Sequence, residues 1–374
     1  MEAAEAPVPV LWLVKGLGLG GAERLLVAAA RVHDRAAFAI EAAYVLPWKD
    51  ALVADLVALG VPVTCLGAGG HRLRWPSRLR ALLASGRFAV VHAHSPLVAS
   101  VTRLVAHTLP RSRRPRIVTT EHNAWSTFAL PTRLLNAITS PLDDATLAVS
   151  EQTRASMWWR RTRARTAVEV HGIDLAAVRG AAGEREAARE ELGLAPGEVV
   201  VLTVANYREQ KAWPDLLLAA RLLVDRGLPV RFLAVGQGPL EAQVRARHRQ
   251  LGLGPALLLL GQRDDVPRLL AAADLFTLAS TYEGYPLAVM EALVAGLPVV
   301  ATAVGGVAEA VEPSAGVLVA PGRPDLLADA LARLVGDPDE RRRLAQGARA
   351  AGDRYDIHRS VSTTECLYRR LLEG

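Results

Sequence analysis

The sequence is poor in cysteine and in aromatic residues. Its 374 residues include two cysteines, Cys65 and Cys366, which lie far apart and lack the paired spacing of a zinc site or a disulfide framework. This pattern fits a reducing compartment. Aromatic residues make up 5% of the chain, so the adjacent tryptophans Trp158 and Trp159 stand out.

The sequence shows no pattern of a membrane-spanning segment or of a targeting signal. No apolar run reaches the length that crosses a membrane. The first residues, Met1 to Glu5, are acidic and lack the basic start of a signal peptide. We therefore expect a cytoplasmic protein, and a peripheral position on the inner face of the cell membrane stays open.

The composition is that of a globular protein with an excess of positive charge. The chain is 51% hydrophobic and carries a net charge of +6, and its length suggests two domains. A pI of about 9.7 is compatible with nucleic acid, an anionic membrane surface or anionic small substrates. The high pI can also be a by-product of an arginine-rich composition, without any anionic partner. Because the arginines are dispersed and no binding module is recognisable, we expect no nucleic-acid partner.

A strand–loop–helix pattern repeats through both halves of the chain. It predicts an α/β fold of two doubly wound Rossmann-like domains that face a cleft. We place the boundary near Ala176, so that residues 1–175 form the N-terminal domain and residues 176–354 the C-terminal domain. Residues 355–374 are expected to cross back onto the N-terminal domain.

The clearest ligand signal lies between residues 274 and 296. A short apolar strand is followed by a glycine-containing loop and then by a helix that starts at Pro286. The start of such a helix suits a phosphate, while carboxylates select for the hydroxyls of a sugar. Glu283 in the loop and Glu291 in the second helical turn can both face this end. The alternative for either residue is a solvated surface acid.

Two further loops that follow strands carry groups suited to a diphosphate. Arg208 and Lys211 come after the strand at residues 199–204 and offer a planar fork and a point charge. Surface salt bridges are the alternative. Gly20 and Gly21 follow the strand at residues 8–14 and allow close approach of the backbone to a ligand. The alternative there is a tight turn.

Histidines occur at the ends of two predicted strands in the N-terminal half. His92 and His94 end one strand and His122 follows another, so all three are expected at one edge of a sheet. No acid or cysteine cluster accompanies them, so we do not predict a metal site. A buried histidine satisfied by the backbone is the alternative for His92 and His122.

Two segments combine basic and apolar residues. Residues 71–86 interleave basic residues, from His71 and Arg72 onward, with leucines and a tryptophan, and a predicted helix carries Trp158 and Trp159 beside several arginines. Such segments suit a contact with anionic lipid or with a lipid-linked acceptor. The alternatives are a solvated basic helix face and packing of one tryptophan in the core.

Several of these motifs carry a family resemblance. The run Glu283-Gly-Tyr-Pro-Leu-Ala-Val-Met-Glu291, with Gly296-Leu-Pro and Gly305-Gly306 after it, resembles the donor half of retaining GT-B glycosyltransferases, in glycosyltransferase family 4. The resemblance implies transfer of a sugar from a nucleoside diphosphate sugar to an acceptor hydroxyl, with an acceptor-side N-terminal domain. It points to synthesis of a cell-envelope polysaccharide, a glycolipid or a glycosylated metabolite.

The resemblance also implies a role for each matching residue. The catalytic group comprises His122, Arg208, Lys211 and Glu283. The donor-binding residues are Gly20, Gly21, Arg208, Lys211, Arg263, Glu283, Gly284, Tyr285, Pro286, Leu287 and Glu291. His171 stands where the family usually has asparagine, which puts a specific contact by that side chain in doubt.

No cofactor and no essential metal are expected. The chain lacks an Asp-x-Asp signature between its strands, and the two cations Arg208 and Lys211 can replace a metal ion. The nucleoside diphosphate sugar would act as co-substrate. Two alternatives remain open: a nucleotide-sugar epimerase of the same fold, and an inactive nucleotide-sugar-binding relative.

Overall fold

The structure is a computed structural model and describes residues 6–69 and 74–373. His71, Arg72 and Leu73 of the basic segment therefore lie outside the described residues, as does the acidic start of the chain. The chain divides into two compact units, Met1–Gly172 with Ile357–Gly374 and Ile173–Asp356. Our sequence boundary near Ala176 lies a few residues beyond this division.

Every strand with a partner in the described part of the chain belongs to one of two parallel sheets. The first unit contains β1 (Val8–Val14), β2 (Phe38–Tyr44), β3 (Val63–Cys65), β4 (Val90–Ala93), β5 (Arg116–Glu121), β6 (Ala145–Ala148) and β7 (Thr166–Val168). The second contains β8 (Val199–Val204), β9 (Val230–Val235), β10 (Leu257–Gly261), β11 (Leu275–Leu278), β12 (Val299–Thr302) and β13 (Gly316–Val319).

Helices connect the strands throughout. In the first unit they are α1 (Gly21–Val32), α2 (Val53–Ala58), α3 (Trp75–Ala84), α4 (Pro96–His107), α5 (Leu130–Thr139), α6 (Glu151–Ala155) and α7 (Arg160–Arg165). The second unit contains α8 (Leu175–Gly180), α9 (Arg185–Glu191), α10 (Trp213–Asp225), α11 (Glu241–Gln250), α12 (Val266–Ala272), α13 (Leu287–Val294), α14 (Gly305–Ala310), α15 (Pro324–Gly336) and α16 (Pro338–Gly352). The last helix, α17 (Ile357–Glu373), returns to the first unit.

Both sheets have the order of a doubly wound fold, which confirms the predicted fold class. The first runs β3-β2-β1-β4-β5-β6-β7 and the second β10-β9-β8-β11-β12-β13. The strand order reverses between β1 and β4 in the first sheet and between β8 and β11 in the second. Ligands of open parallel sheets bind beyond the carboxyl ends of the strands at such a point.

Alternate residues of β1 build the core on both faces of the first sheet. Val10, Trp12 and Val14 pack into one hydrophobic cluster, and Leu11 and Leu13 into another. This division follows from the two-residue period of a strand that is buried on both faces. Such strands read as continuous apolar runs, which is why the sequence predicted β1 correctly.

The C-terminal helix α17 is part of the first unit. Tyr368 of α17 is buried in the cluster on one face of the sheet, and its ring meets Phe38 of β2 edge-on at 5.8 Å. The same helix packs against α1. The packing of α17 closes one side of the space above the strand ends β4 and β5.

The tryptophan pair does not lie on a helix, contrary to the sequence prediction. Helix α6 ends at Ala155 and α7 begins at Arg160, so Trp158 and Trp159 occupy the connection between them. The backbone of Ser156 and Met157 closes α6 with turn hydrogen bonds to Gln152 and Arg154. The indole N–H of Trp159 then donates to the Ala137 carbonyl of α5 at 2.7 Å, which holds the connection on that helix.

Candidate functional site

The loops that follow β8 and β11 meet at the switch point of the second sheet. The backbone N–H of Thr281 donates to the Gln210 carbonyl at 2.8 Å, which joins the two loops. Lys211 of the first loop and Glu283 of the second form an ion pair through Nζ and Oε1. The side chains are 15% and 6% exposed, so the pair is largely shielded from water. Ser280 Oγ donates to the same Glu283 oxygen at 2.6 Å.

A strained residue sets the position of Lys211. Ala212 has φ +44°, in the left-handed region that costs a residue with a Cβ roughly 1–2 kcal/mol. It caps the start of α10, and Trp213 anchors the turn because its indole N–H donates to the Asn206 carbonyl at 3.0 Å. The turn carries Lys211 toward Glu283, and no glycine marked this conformation in the sequence.

Gly306 lets α14 approach the loop that contains Glu283. The N–H of Gly306 donates to the Gly284 carbonyl at 2.7 Å, and a Cβ at Gly306 would come within 2.3 Å of that oxygen. The Thr302 hydroxyl, at the end of β12, donates to the Ser280 carbonyl at 2.6 Å. Residues 280–286 are therefore fixed from the neighbouring strand end.

Helix α13 begins directly after this loop. Pro286 is its N-cap and Leu287 its first residue, one position later than the sequence suggested. Tyr285 is held in place by a hydrogen bond of 2.9 Å between its hydroxyl and that of Tyr355, and burial raises the pKa of Tyr285. Glu291 lies half-buried in the second turn of the helix.

The two predicted arginines differ in their engagement. Arg208 is exposed, and no described residue binds its guanidinium group. Arg263 instead forms a bidentate pair with Asp265 at 2.7 and 2.6 Å, which lowers the pKa of Asp265. A contact of Arg263 with a base or ribose stays a prediction, and it requires that this pair opens.

The glycine loop of the first unit leads into α1. Gly20 is the N-cap of the helix and Gly21 its first residue. A Cβ on Gly20 would come within 2.1 Å of a Glu23 carboxylate oxygen, so only glycine leaves that acid in place. The contact of this loop with a donor stays a prediction.

Histidines that follow β4, β5 and β7 meet beyond the carboxyl ends of these strands in the first sheet. His94 Nδ1 lies 3.3 Å from His122 Nε2, and His122 Nδ1 lies 3.1 Å from His171 Nε2. The rings of His122 and His171 are stacked, with centroids 4.9 Å apart. The prediction that His94 and His122 share one edge is confirmed. His171 joins them because it follows β7, a contact that the sequence did not indicate.

His92 belongs to the same cluster but is buried beneath it. Its Nδ1 lies 2.5 Å from the Tyr368 hydroxyl of α17 and its Nε2 2.7 Å from the Thr120 hydroxyl of β5. Both ring nitrogens are therefore satisfied by protein groups. His92 therefore links the sheet to α17 through side-chain hydroxyls, and not through the backbone groups that the sequence alternative assumed.

The cluster is uncharged at neutral pH. Burial lowers the pKa of His92 to about 3 and that of His171 to about 4. Burial, together with repulsion from neighbouring histidines, places the pKa of His94 and of His122 well below the ordinary value. Each ring therefore carries one N–H at pH 7, and each nitrogen either donates or accepts.

Helix α5 and the tryptophan pair form an exposed apolar surface. Leu130, Leu134 and Ile138 follow one another at helical spacing and are 54%, 44% and 68% exposed. Trp158 is 46% exposed beside them, with the Arg133 guanidinium 5.1 Å from the centre of its ring. We call these five residues with Trp159 the α5 patch. Over residues 6–69 and 74–373, no helix is long and apolar enough to cross a membrane.

Comparison with known families gives matches for each unit. Residues 184–351 match the family described as glycosyl transferases group 1, and residues 19–177 match glycosyltransferase family 4. The two matched ranges contain the site loops described above. They cover the larger part of both units.

Individual relatives are more distant. The chain is 29% identical to an N-acetyl-alpha-D-glucosaminyl L-malate synthase of Bacillus anthracis over 48% of each chain. It is 39% identical to a D-inositol 3-phosphate glycosyltransferase of Nocardia farcinica over 48% of this chain and 42% of the relative. The chain thus spans about half the length of these relatives.

One solved structure shows the same fold over almost the whole chain. Anabaena Alr3699/HepE, solved in complex with UDP-glucose, superposes with a TM-score of 0.82 at 22% identity. The superposition covers 95% of this chain and 98% of that one. The first unit therefore contains a match to glycosyltransferase family 4 and the second a match to glycosyl transferases group 1, each on a sheet of doubly wound order.

Proposed function

We propose that this protein moves a sugar from a nucleoside diphosphate sugar to an acceptor hydroxyl, with retention at the anomeric carbon. The observation that carries the proposal is the pairing of Lys211 with Glu283 at the switch point of the second sheet. A cation suited to a diphosphate and a carboxylate suited to sugar hydroxyls stand side by side there. A nucleotide sugar presents these two chemical groups next to each other.

Donor binding would exchange the partners of this pair. Without a donor, Lys211 neutralises the buried Glu283 carboxylate. With a donor, Lys211 would turn to the diphosphate, and Glu283 would accept hydrogen bonds from sugar hydroxyls. Each group keeps a partner in both states, so the exchange avoids leaving a buried charge unpaired. Arg208, whose guanidinium is not engaged by described residues, would provide the second cation.

The rest of the donor would contact the loop and helix that follow β11. Glu291 on α13 would accept hydrogen bonds from the ribose diol. The backbone of the loop, including its glycine, would approach the phosphates and the sugar. The contacting residues are Gly284, Tyr285, Pro286 and Leu287. This assignment is supported by the fixed geometry of residues 280–286.

The mechanism we propose is a front-side displacement. The bond between the anomeric carbon and the diphosphate oxygen breaks, while the acceptor oxygen bonds to the same face of the sugar. The acceptor proton passes to the departing phosphate. Arg208 and Lys211 stabilise the negative charge that the diphosphate gains, so we expect no essential metal. His122 is assigned a place beside the transferred sugar by the family resemblance.

UDP-glucose is the first donor to test, because Alr3699/HepE is described with it. The relatives named for malate and inositol 3-phosphate make L-malate and inositol 3-phosphate the first acceptors. A lipid-linked acceptor is the further candidate, supported by the α5 patch. Exposed tryptophan and aliphatic side chains beside arginines suit the headgroup region of an anionic membrane, which gives a cytoplasmic protein a peripheral position there.

The experiment is a transfer reaction followed by NMR of the anomeric proton. The protein is incubated with UDP-glucose and each acceptor, and the proposal predicts a glycoside with the anomeric configuration of the donor. An inverted product would contradict retention. Conversion of the donor into its epimer without an acceptor would favour the epimerase alternative. Donor binding without any conversion, across all acceptors, would favour the inactive relative.

A further inference from the structure

The hydrogen-bonding capacity of the histidine cluster can be assigned atom by atom. His92 uses both ring nitrogens, one for Tyr368 and one for Thr120. His122 also uses both, one for His94 and one for His171. A ligand can therefore reach His122 only if one of these contacts opens. The family resemblance places His122 in the catalytic group.

His94 differs from its neighbours. Its Nδ1 faces His122, but its Nε2 is buried and has no hydrogen-bond partner among the described residues. The ring of His92 supports it from behind, with centroids 4.1 Å apart. Most buried polar atoms in proteins have a partner, so a ligand group that reaches this unpaired nitrogen would supply the hydrogen bond that it lacks.

His94 lines a cavity of about 80 Å³ inside the first unit. Its walls come from α1, α17 and the sheet and are mainly apolar, with Leu25, Leu26 and Ile40 among them. A cavity of this size accommodates a fragment of a few non-hydrogen atoms.

The charged and titratable groups around the cavity disfavour an anionic fragment. The histidines described above are neutral at pH 7. Burial raises the pKa of Glu169 to about 7, although Arg359 opposes the shift. Glu365 and His33 face the cavity from α17 and α1, and burial lowers the pKa of His33. No lysine or arginine is among the cavity residues, so an anionic group would find no cation there.

We propose that His94 Nε2 binds a hydroxyl group whose short, uncharged carbon segment fills this cavity, while His122 and His171 hold His94 in one tautomer. His94 is then a ligand-binding residue, and the other two are positioning residues. The identification of this segment as part of the acceptor rests on the proposed function. The binding itself does not depend on it.

The positioning follows from the chemistry of neutral imidazoles. A hydroxyl that donates to His94 Nε2 requires the His94 proton to be on Nδ1, where it donates to His122 Nε2. His122 must then carry its proton on Nδ1 and donate to His171 Nε2. A ligand that accepts from His94 selects the opposite set. The tautomers of the three histidines are therefore coupled, and a substitution of His171 changes which nitrogen of His94 carries the proton.

The test uses the full chain with ¹⁵N-labelled histidine, and ring nitrogen NMR with 2-propanol as the probe. We expect a saturable shift of His94 Nε2, with smaller shifts at His122 and His171. His107 and His248, which bind backbone carbonyls at 2.8 Å elsewhere, serve as internal controls. An equal response at the control histidines, or none at His94, would overturn the proposal. Xenon, an apolar probe, should leave the His94 tautomer unchanged.

His171→Asn tests the positioning role, since asparagine is the residue that the family resemblance places there. We expect a mixture of His94 tautomers and about fivefold weaker 2-propanol binding, the size of one neutral hydrogen bond. Unchanged tautomers in the folded variant would contradict the role. His94→Asn, in which the smaller 2-propanol shifts of His122 and His171 should disappear, provides a second variant if His171→Asn unfolds. A protein that binds 2-propanol at His94 but transfers no sugar would refute the proposed function alone.

Discussion

Lys211 and Glu283 are 72 residues apart in sequence and form a largely buried ion pair at the switch point of the second sheet. Ser280 reinforces the pair with a hydrogen bond of 2.6 Å to the same carboxylate oxygen. The pair brings the cation expected at a diphosphate into contact with the acid expected at sugar hydroxyls. Substitutions of Lys211 and of Glu283 measure what the pair contributes to turnover and to stability.

Lys211→Ala should mainly lower turnover, by about 100-fold or more, because it removes a cation that stabilises the leaving diphosphate. It should also destabilise the second unit by up to about 3 kcal/mol, since the Glu283 carboxylate then stays buried without its cation. Initial rates and urea unfolding measure the two effects. Full turnover in the variant would refute the leaving-group role.

A double variant separates the two effects of Lys211. Lys211→Ala with Glu283→Gln leaves no unpaired buried charge, so it should recover much of the lost stability while staying inactive. Arg226→Ala, which breaks the exposed pair with Asp329 in the same unit, is the matched control. The control should change neither property beyond about 0.5 kcal/mol.

Glu291→Ala should weaken donor binding by about tenfold or more and leave turnover at saturating donor nearly unchanged. The physical reason is the loss of a charge-assisted contact with the ribose diol. Calorimetry with the donor and with its 2′-deoxyribose analogue measures this, and the analogue should bind both proteins alike. Glu340→Ala, which removes a surface acid of α16, is the control. A large loss of turnover with unchanged affinity would contradict the assignment.

His92→Gln should make the protein less sensitive to acid. The folded state keeps His92 neutral because burial lowers its pKa to about 3, whereas the unfolded chain binds a proton below its ordinary pKa of about 6.5. Stability therefore falls as the pH falls, by about 2 kcal/mol from this residue between pH 7 and pH 5. Urea unfolding at both pH values should show a smaller loss in the variant. An equal loss of stability between pH 7 and pH 5 in the parent and the variant would show that the pKa of His92 is not lowered in the folded state.

Leu134→Ser with Ile138→Ser should weaken binding to vesicles rich in phosphatidylglycerol by at least about tenfold, because two exposed apolar side chains of the α5 patch are lost. Vesicle co-sedimentation measures the effect, and binding of the parent protein should decrease with added salt. Val57→Ser removes a side chain of 56% exposure outside the patch and should bind like the parent. If the parent protein does not co-sediment with anionic vesicles, the proposed membrane contact is excluded.

Much of the second unit could be predicted from the sequence. Apolar runs mark β8 and β11. The polar residues that follow each strand lie close to it in sequence, so their placement in the loop or in the next helix depends on local geometry alone. These residues are Arg208, Lys211, Glu283 and Glu291. The contact between Lys211 and Glu283 could not be predicted from local sequence. It depends on which strands are neighbours and on the left-handed turn at Ala212, where alanine gives no signal.

The first unit was less predictable because its site is assembled from distant segments. His171 contacts His122 across 49 residues, and this contact depends on the register of β5, β6 and β7. No proline or glycine interrupts residues 151–165, so the sequence contains no signal of the break between α6 and α7. The break between α6 and α7 is fixed instead by turn hydrogen bonds and by the contact of Trp159 with Ala137, which belongs to another helix.

Thermal unfolding of the purified protein with UDP-, GDP-, ADP- and dTDP-sugars tests the central claim most directly. A ligand that binds only the folded state raises the melting temperature with its occupancy. We expect one nucleotide sugar to raise it clearly, and we expect Glu291→Ala to lose most of that rise. A melting temperature unchanged by all four donors, with and without anionic vesicles, would contradict a donor site at Lys211 and Glu283.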